Sequence, residues 1–524
     1  MPALGSDGTM RLLLINPRFP ESWWSTQWAL DHILPGKRAI NPPLGLATLA
    51  ALAPPDWQVA IIDENIEEIP VHIDAEIVGV CGMGVQFPRQ KELIARFRAQ
   101  GHYVIAGGSY ASLCPEHYEG LADTVIAGEA EYIFPAFCRD FEAGSAKRLY
   151  HETGTVDLAS SPVPRFDLLQ LDRYHYATLQ FSRGCPFRCE FCDIIVMFGR
   201  KPRTKSLEQI GRELDALRAL GMRNVFFVDD NLIGNLPMAK KLLPFLADYQ
   251  KRHDWQFHFG TEASLNLAQH ADLIASLRTA NFGWVFIGIE STDPASLKET
   301  MKTQNLHDDI LASVRRIYAQ GIEVLAGFII GFDHDTLDSF EQQYRFITDA
   351  GIQAAMIGLL TALPKTPLHE RLKRAGRLTT LDDVNDPMRP ATNVIPLRMP
   401  YEAMIDGYAA LYRRLLQDRE IARRIRNKLR FLAKPASYTG YGWRDSLLIL
   451  WRLIRKGILP GGPRRLWHFL RSLDPRPSAA SVVIAEWITA LSMRDFASRW
   501  LAPAAFVGPA REPPLIRATA AEAR

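Results

Sequence analysis

Three cysteines stand close together in this chain, and their spacing constrains its fold and chemistry more than any other feature. They are Cys185, Cys189 and Cys192, in the run Ser-Arg-Gly-Cys-Pro-Phe-Arg-Cys-Glu-Phe-Cys-Asp. Three thiolates on one short loop can hold an iron–sulfur cube and leave one of its irons open to a small molecule. A structural zinc site would need a fourth Cys or His ligand, and the other cysteines, at positions 81, 114 and 138, are scattered. A redox pair would use only the last two cysteines of the run, so the spacing predicts a [4Fe-4S] cluster with three protein ligands.

The cysteine run resembles the signature of the radical S-adenosylmethionine (SAM) superfamily. Before it, residues 177–182 are typical of a strand, and after it, residues 206–220 are typical of a helix that begins at Ser206. This order predicts a strand, a ligand loop and a helix in succession. The resemblance implies that the open iron chelates the amino and carboxylate groups of SAM.

From residue 177 onward, apolar runs rich in β-branched residues alternate with helical patterns. The strand candidates are residues 177–182, 224–229, 255–260, 284–290, 323–331 and 355–360. Six strands separated by helices predict a partial (β/α)6 barrel of the TIM type. In such a barrel, the functional side chains follow the carboxyl ends of the strands.

SAM presents an ammonium group, a ribose diol and an adenine; carboxylates can accept hydrogen bonds from the first two, and apolar side chains can pack on the third. The candidates at the predicted strand ends and in the cysteine loop are Asp229 and Asp230 for the amine, Glu262 and Glu290 for the ribose side, and Phe191 and Ile329 for the adenine, with Ser264 as a further SAM contact. By resemblance to the superfamily, the two aspartates stand where its Gly-Gly-Glu element contacts the SAM amine. For the two glutamates, a solvated acid at a helix start is the alternative.

The first 150 residues predict a different α/β unit. Strand candidates at 11–16, 58–63, 76–81, 103–107 and 124–127 are separated by helical patterns near 44–53, 88–100 and 130–143. This alternation predicts a doubly wound parallel sheet, which binds ligands beyond the carboxyl ends of its strands. The glycine-rich strand ends resemble the cobalamin-binding domain of cobalamin-dependent radical SAM enzymes. The resemblance implies that cobalamin contacts fall at Pro43, Gly82, Gln86, Gly107, Gly108, Ser109, Gly128 and Glu129.

One element of classical cobalamin mutases is missing from this unit. Those enzymes carry Asp-x-His-x-x-Gly after the first strand, and the histidine ligates cobalt from below. Here the first strand runs into Asn16-Pro-Arg-Phe-Pro20, and the Asp31-His32 pair has the wrong spacing. The resemblance therefore implies cobalamin bound with no protein nitrogen beneath the metal, with a domain that has lost cobalamin as the alternative.

The C-terminal region differs in charge from the rest of the chain. Residues 401–524 carry 22 Lys and Arg against 10 Asp and Glu, and five of the eleven tryptophans: Trp443, Trp451, Trp467, Trp487 and Trp500. Basic residues interleaved with tryptophan suit an anionic membrane surface or a nucleic acid backbone, and docking on the acidic remainder of the chain is the alternative. We expect peripheral contact with an anionic membrane and no nucleic acid partner.

Length and composition divide the chain into units. At 524 residues it exceeds a single core, and the patterns predict a cobalamin-binding domain over 1–150, a connector over 151–176, a barrel over 177–375 and a helical module over 376–524. The module contains a helix stop at 459–463 and becomes Ala/Pro-rich after about residue 503. It resembles the C-terminal module of the subgroup that includes hopanoid methylases. The unpaired cysteines, the polar start and the lack of long apolar runs predict a cytoplasmic protein with no secretion signal and no transmembrane helix.

The resemblance implies an enzyme that methylates an unactivated carbon of a small or lipid-like substrate. In that mechanism, SAM is cleaved to a 5′-deoxyadenosyl radical, which abstracts hydrogen from the substrate, and methylcobalamin supplies the methyl group. A reductant such as flavodoxin or ferredoxin is implied as well. Radical cyclisation, carbon–carbon coupling or rearrangement is the alternative reaction, and a non-catalytic cobalamin or SAM sensor is the alternative class.

Overall fold

Two six-stranded parallel sheets follow one another along the chain. We describe them from a computed structural model of residues 9–23, 25–254, 257–379, 391–434 and 441–500. The first sheet has the order β2-β1-β3-β4-β5-β6. Its strands are β1 (Arg11–Asn16), β2 (Gln58–Asp63), β3 (Ile77–Cys81), β4 (Tyr103–Gly107), β5 (Thr124–Ala127) and β6 (Leu149–His151).

Helices cover both faces of this first sheet. They are α2 (Leu44–Leu52), α3 (Phe87–Ala99), α4 (Ser109–Leu113) and α5 (Ala130–Glu142), whereas α1 (Gln27–His32) contacts the last described helix, Pro477–Trp500. Phe97 of α3 packs in one apolar layer, and Leu46 of α2 packs with Phe134 of α5 in the other. Because both faces are covered, the strands are apolar throughout, as the sequence run Leu12–Ile15 shows. The predicted doubly wound sheet is confirmed, and β6 extends it across the predicted boundary at residue 150.

The second sheet has the order β14-β13-β12-β11-β10-β7 and is parallel throughout. Its strands are β7 (Ala177–Leu179), β10 (Asn224–Phe227), β11 (His258–Ala263), β12 (Phe282–Glu290), β13 (Glu323–Ile330) and β14 (Ala355–Leu359). Since the order begins at β14 and ends at β7, the barrel is open, and the predicted partial (β/α)6 architecture is confirmed. The cysteine loop is framed by a small antiparallel pair and a short helix: β8 (Ser182–Arg183), β9 (Arg203–Thr204) and α6 (Ile194–Met197).

The barrel helices alternate with its strands. They are α7 (Leu207–Ala219), α8 (Leu236–Arg252), α9 (Ala271–Thr279), α10 (Pro294–Glu299), α11 (Ile310–Ala319), α12 (Asp338–Ala350) and α13 (Pro367–Arg374). The predicted helix after the cysteine loop is α7, and a capping box fixes its start at Ser206. Ser206 Oγ accepts from the Gln209 amide at 3.2 Å, and Gln209 Oε1 accepts from the Ser206 amide at 2.9 Å.

The connector also takes part in the core. Phe166, Leu171 and Tyr174 are buried in the apolar cluster of the barrel. The Tyr174 hydroxyl donates to Asp63 Oδ2 at 2.7 Å, at the end of β2. The connector therefore joins the two sheets by packing as well as by chain continuity.

The C-terminal module is helical, as predicted. Its helices are α14 (Tyr401–Leu415), α15 (Asp418–Phe431), α16 (Trp443–Arg452), α17 (Gly462–Ser472) and α18 (Pro477–Trp500). A π-turn at 453–458 and a 3-10 turn at 459–461 separate α16 from α17, at the predicted stop. The Ala/Pro-rich end lies outside the described residues. Throughout the part of the chain that the structure describes, every helix is too short or too polar to traverse a bilayer.

The module docks on the barrel through apolar and charged contacts. Tyr412 of α14 stacks on Trp23 with ring centroids 3.9 Å apart, and its hydroxyl bridges the amide and carbonyl of Ile357 in β14. Lys428 of α15 is buried and pairs with Glu323 of β13 at 3.1 Å. Part of the basic charge therefore faces the acidic body, as the docking alternative expected.

Candidate active site

The three cysteines predicted as ligands lie on the loop between β8 and α6. Cys189 is buried, and Cys185 and Cys192 are partly buried. Burial raises the pKa of the Cys185 thiol and raises that of Cys192 to about 12, so a bound metal is needed to draw off their protons at neutral pH. Among the described residues, no three Cys, His, Asp or Glu side chains converge on one metal ion. Three thiols on one loop are the ligand set that an iron–sulfur cube with one open iron takes, whereas a closed zinc site takes four ligands.

Two amide side chains approach the sulfurs of the loop. Gln304 Nε2 lies 3.6 Å from Cys189 Sγ, and Asn231 Nδ2 lies 4.0 Å from Cys185 Sγ. Hydrogen bonds to cluster sulfurs raise the reduction potential, because they stabilise the extra negative charge of the reduced state. Neither amide was predicted, since Gln304 follows β12 and is far from the motif in sequence.

The predicted SAM-amine ligands Asp229 and Asp230 anchor the cysteine loop. Asp229 accepts from the Phe181 amide at 3.2 Å and from the amide and hydroxyl of Ser182, the hydroxyl at 2.6 Å. Asp230 accepts from the Gly184 amide at 2.9 Å. Burial raises the pKa of Asp229 to about 7 and that of Asp230 to about 6, against the effect of these hydrogen bonds. Their contact with SAM stays a prediction, and their first role is to position the loop.

Glu262 stands beside the two aspartates without a partner. Within the described residues its carboxylate makes no hydrogen bond or ion pair, and burial together with the charges of Asp230 and Asp229 raises its pKa to about 8. A cationic ligand would relieve that repulsion, which fits the ammonium of SAM. The nearby Ser264 is less available, because Asn231 Nδ2 donates to its hydroxyl at 3.0 Å and the hydroxyl in turn donates to Asn266.

Glu290 forms an ion pair with Lys302, a residue that the sequence did not identify as part of the site. It has a positive φ of 65° at a bulge in β12, and its carboxylate pairs with Lys302 Nζ at 2.8 Å. Burial alone would lower the pKa of Lys302, but the charges of Glu290 and of the Cys189 thiolate hold it above its usual value. The ribose contact of Glu290 stays a prediction, and the ion pair places a cation near the sulfurs.

The two side chains predicted to hold the adenine share one apolar cluster. Phe191 and Ile329 pack against its buried residues, and the Phe191 ring lies 6.1 Å from the ring of Phe332. An apolar wall beside the cysteine loop suits the flat face of a base. The structure therefore brings these two candidates together, although they are far apart in sequence.

The glycines predicted for cobalamin close the carboxyl edge of the first sheet. Gly82 directly follows β3, and Gly107 is the last residue of β4. Gly108 has a φ of +106°, and its backbone lies so near Gly82 that a Cβ at Gly108 would be 2.3 Å from the Gly82 carbonyl oxygen. Gly128 also has a positive φ, and a Cβ there would lie 2.8 Å from the Glu152 carbonyl. No side chain projects from these positions, which leaves backbone at this edge for a large ligand to approach.

The other predicted cobalamin residues have structural partners. Gln86 is buried: its Nε2 donates to Asn16 Oδ1 at 3.1 Å, and its Oε1 accepts from the Met83 amide at 2.8 Å. Ser109 begins α4, and Pro43 directly precedes α2. Contacts of these residues with cobalamin stay predictions.

Glu129, the last of the cobalamin candidates, forms a buried ion-pair cluster with the cysteine strand. Its carboxylate lies 2.8 Å from both Arg183 of β8 and Arg203 of β9, and Arg183 also pairs with Glu131 at 2.7 Å. We call these four residues the arginine clamp. Arg183 stands two residues before Cys185, so the clamp ties the turn after β5 to the cysteine loop and brings the carboxyl edges of the two sheets together. Arg183 lies within the motif itself, but its partners could not be identified without the fold.

Comparison with known proteins agrees with this architecture. The model of the Radical SAM superfamily matches residues 179–347, and a domain of unknown function (DUF4070) matches residues 366–502. The chain is similar in fold to the cobalamin-dependent SAM radical enzyme OxsB, solved with aqua-cobalamin and SAM bound. That match has a TM-score of 0.60 and 17% identity, and covers 94% of this chain and 80% of the other.

Two curated relatives are closer in sequence. An uncharacterized methyltransferase of Synechocystis sp. is 37% identical over 469 residues, which is 88% of this chain and 86% of that protein. The hopanoid C-2 methylase of Rhodopseudomonas palustris is 36% identical over 390 residues, 73% of this chain and 74% of the relative. With such identity over most of its length, and with the cysteine loop and both sheets in place, the chain belongs to the cobalamin-dependent radical SAM enzymes, in the group that includes hopanoid methylases.

Proposed function

We propose that this protein is a cobalamin-dependent radical SAM methyltransferase that acts on an unactivated carbon. One observation carries the proposal: the arginine clamp holds the three-cysteine loop of the barrel against the glycine-lined edge of the first sheet. This arrangement supports a cluster site and a cobalamin site on facing edges of one molecule. When bound, the cluster and SAM supply a radical that removes hydrogen from carbon, and cobalamin supplies the methyl group.

The residues of this chain bind and orient those groups. Cys185, Cys189 and Cys192 hold the cluster, and Asp229 and Asp230 fix the backbone of their loop. Glu262, which the sequence assigned to the ribose side, is proposed here to accept from the SAM ammonium instead, because it lies unpaired among the described residues beside the two aspartates. Phe191 and Ile329 cover the adenine, and the backbone at Gly82 and Gly108, after β3 and β4, admits the corrin ring.

The substrate that we propose is lipid-like, since one relative is a hopanoid methylase and this chain covers most of its length. We also propose that an external reductant such as flavodoxin or ferredoxin delivers the electron that the cluster needs to cleave SAM. Peripheral contact with an anionic membrane follows from the net charge of the C-terminal region.

Isotope labelling tests the reaction type. Reconstituted protein with reductant and a lipid extract from a strain that lacks the gene is supplied with SAM carrying a trideuterated methyl group. A methyltransferase should give a product heavier by one deuterated methyl in place of hydrogen, with 5′-deoxyadenosine and S-adenosylhomocysteine in near-equal amounts. Formation of 5′-deoxyadenosine without S-adenosylhomocysteine, and a product with no deuterium, would indicate cyclisation or coupling instead.

A cysteine variant supplies the control. Replacing Cys185, Cys189 and Cys192 together by alanine should abolish iron binding and 5′-deoxyadenosine formation. The double variant Cys114→Ala and Cys138→Ala, which changes buried thiols of the first sheet, should keep both. Stoichiometric zinc without iron after anaerobic reconstitution would overturn the cluster assignment.

A further inference from the structure

The C-terminal module exposes large apolar side chains on two neighbouring helices. Trp443, Trp451 and Trp467 are 70%, 51% and 58% exposed, and they are the exposed tryptophans among the described residues. Four exposed leucines accompany them. We call the set the tryptophan face: Trp443, Leu447, Trp451, Leu459, Trp467, Leu470 and Leu473. It contains seven of the eighteen exposed large apolar residues, within about thirty residues of chain. A soluble surface seldom concentrates apolar side chains in this way without a partner.

Helical spacing places five of these residues on one side of α16 or α17, while Leu459 lies in the 3-10 turn between the helices and Leu473 directly follows α17. Trp443, Leu447 and Trp451 follow one another at intervals of four on α16, and Trp467 and Leu470 are three apart on α17. The opposite sides face the core: Ile449 and Phe469 are buried. Each helix therefore has one apolar side that packs in the core and a second apolar side that is exposed.

Arginines stand over the exposed indole rings. The guanidinium groups of Arg444, Arg455 and Arg471 lie 5.3, 5.1 and 5.6 Å from the ring centroids of Trp443, Trp451 and Trp467. Residues 441–473 carry seven Lys and Arg against one Asp. Tryptophan, leucine and arginine on one surface suit the boundary between lipid headgroups and acyl chains, where indole and guanidinium both find partners.

A cavity lined by arginines lies beside the tryptophan face. It encloses about 460 Å³, and its cationic lining is Arg315 of α11 with Arg419, Arg423, Arg426 and Arg430 of α15. One buried guanidinium nitrogen of Arg315 and one of Arg426 have no hydrogen-bond partner within the described residues. Burial and the charges of Arg471, Arg430 and Arg423 lower the pKa of Arg426, so Arg471, which stacks on Trp467, belongs to the same positive region. Asp349 also lines the cavity and lies 4.0 Å from Arg423, so the lining carries five arginines against one carboxylate, and this excess of positive charge suits an anion of phosphate size.

We propose that the tryptophan face docks on an anionic phospholipid bilayer and that the arginine cavity receives a lipid phosphate. The inference deepens the membrane contact proposed above by assigning the surface that makes it. Charge selects the occupant: an apolar protein partner would need to supply acidic groups to match every stacked arginine, whereas an anionic bilayer presents apolar chains and phosphates together. A second copy of this chain would bring the same positive charge and repel.

Vesicle flotation of the full-length protein tests the surface. We expect binding to vesicles of phosphatidylcholine with phosphatidylglycerol, weaker binding to phosphatidylcholine alone, and a decline with salt. The variant Trp443→Ser, Trp451→Ser and Trp467→Ser should bind at least about tenfold more weakly, because it loses three interfacial side chains. The matched control Val71→Ser, Leu220→Ser and Leu337→Ser changes exposed apolar residues elsewhere and should bind as the parent does. Arg423→Gln with Arg426→Gln should remove the preference for the anionic lipid.

The outcomes separate the proposals. Equal flotation of the parent and the tryptophan variant would overturn the assigned face while leaving membrane contact in place, and absence of flotation by the parent would overturn both. If the parent is a dimer and the tryptophan variant is a monomer, the face would be assigned to a second copy of this chain instead. Formation of 5′-deoxyadenosine without vesicles tests the catalytic proposal separately, and the tryptophan variant should retain it because no site residue lies on this face.

Discussion

The two parallel sheets end in edges of opposite chemistry. At the carboxyl edge of the first sheet, glycines pack backbone against backbone, and the neutral Gln86 satisfies the strand ends. At the same edge of the barrel, three carboxylates, Asp229, Asp230 and Glu262, gather behind the cysteine loop. Burial raises the pKa of each, and the charges of the two aspartates raise that of Glu262 further. Parallel topology fixes where each site lies, and the residue types that follow the strands decide what the site can hold.

The difference follows from the ligands that we propose for the two edges. A large ring needs backbone free of side chains, which glycine provides without charge. A cluster loop with a charged cofactor needs a fixed backbone and matching charges, which buried carboxylates provide at the cost of desolvation. Substitutions at the two edges should therefore affect different properties: iron binding at the barrel edge and cobalamin binding at the edge of the first sheet.

Asp229→Ala should have the largest effect. It leaves the Phe181 amide and the amide and hydroxyl of Ser182 without their acceptor, so we expect a loss of about 5 kcal/mol in the free energy of unfolding. Iron content should fall with it. Urea unfolding and iron analysis measure both effects, and Asp248→Ala, at an exposed position of α8, should change stability by less than about 0.5 kcal/mol. A small effect of Asp229→Ala would mean that the loop does not depend on its carboxylate anchor.

Gly108→Ala should damage the first edge alone. The new Cβ would meet the Gly82 carbonyl at 2.3 Å in a backbone of positive φ, which should cost about 3 kcal/mol. We expect cobalamin retention, read from the absorption spectrum, to fall while iron per chain is unchanged. Gly45→Ala is the matched control, because nothing lies within 4 Å of its Cβ in α2. If iron and cobalamin per chain fall together, the structures of the two sheet edges depend on each other.

Mild acid should weaken the barrel through its buried histidines. Burial lowers the pKa of His258 on β11 to about 4 and that of His175, just before β7, to about 3. The unfolded chain takes up these protons near pH 6.5 while the folded chain does not, so the stability is complete above that pH and is lost as pH falls toward 4. At pH 5 the loss is about 2 kcal/mol for His258 alone. Urea unfolding gives the free energy of unfolding at pH 8 and at pH 5. The difference between these two free energies should be smaller by this amount in His258→Gln than in the parent, and an unchanged difference would contradict the prediction.

The sequence predicted all six strands of the barrel and five of the six strands of the first sheet, because these are short apolar runs with β-branched residues. It missed the edge strand β6, which is only three residues long. It also identified the cysteines, whose spacing is local. The partners of the site residues were not accessible in this way. Asp229 holds amides almost fifty positions earlier, and Glu290 meets Lys302 only because β12 bulges at that point. Likewise, charge and tryptophan content indicated the C-terminal surface, but packing decides that Trp443 is exposed and Trp487 is buried.

The arginine clamp has a consequence for how a substrate reaches the reacting groups. Parting the two sheets at this edge would leave Glu131 without Arg183, with both side chains nearly inaccessible to water in the closed form. Separation would also break the contacts of Glu129 with Arg183 and Arg203, so three ion-pair contacts would be lost at once. We therefore expect a substrate to reach the reacting groups without the two sheets separating, so that the distance between their carboxyl edges stays fixed during the reaction.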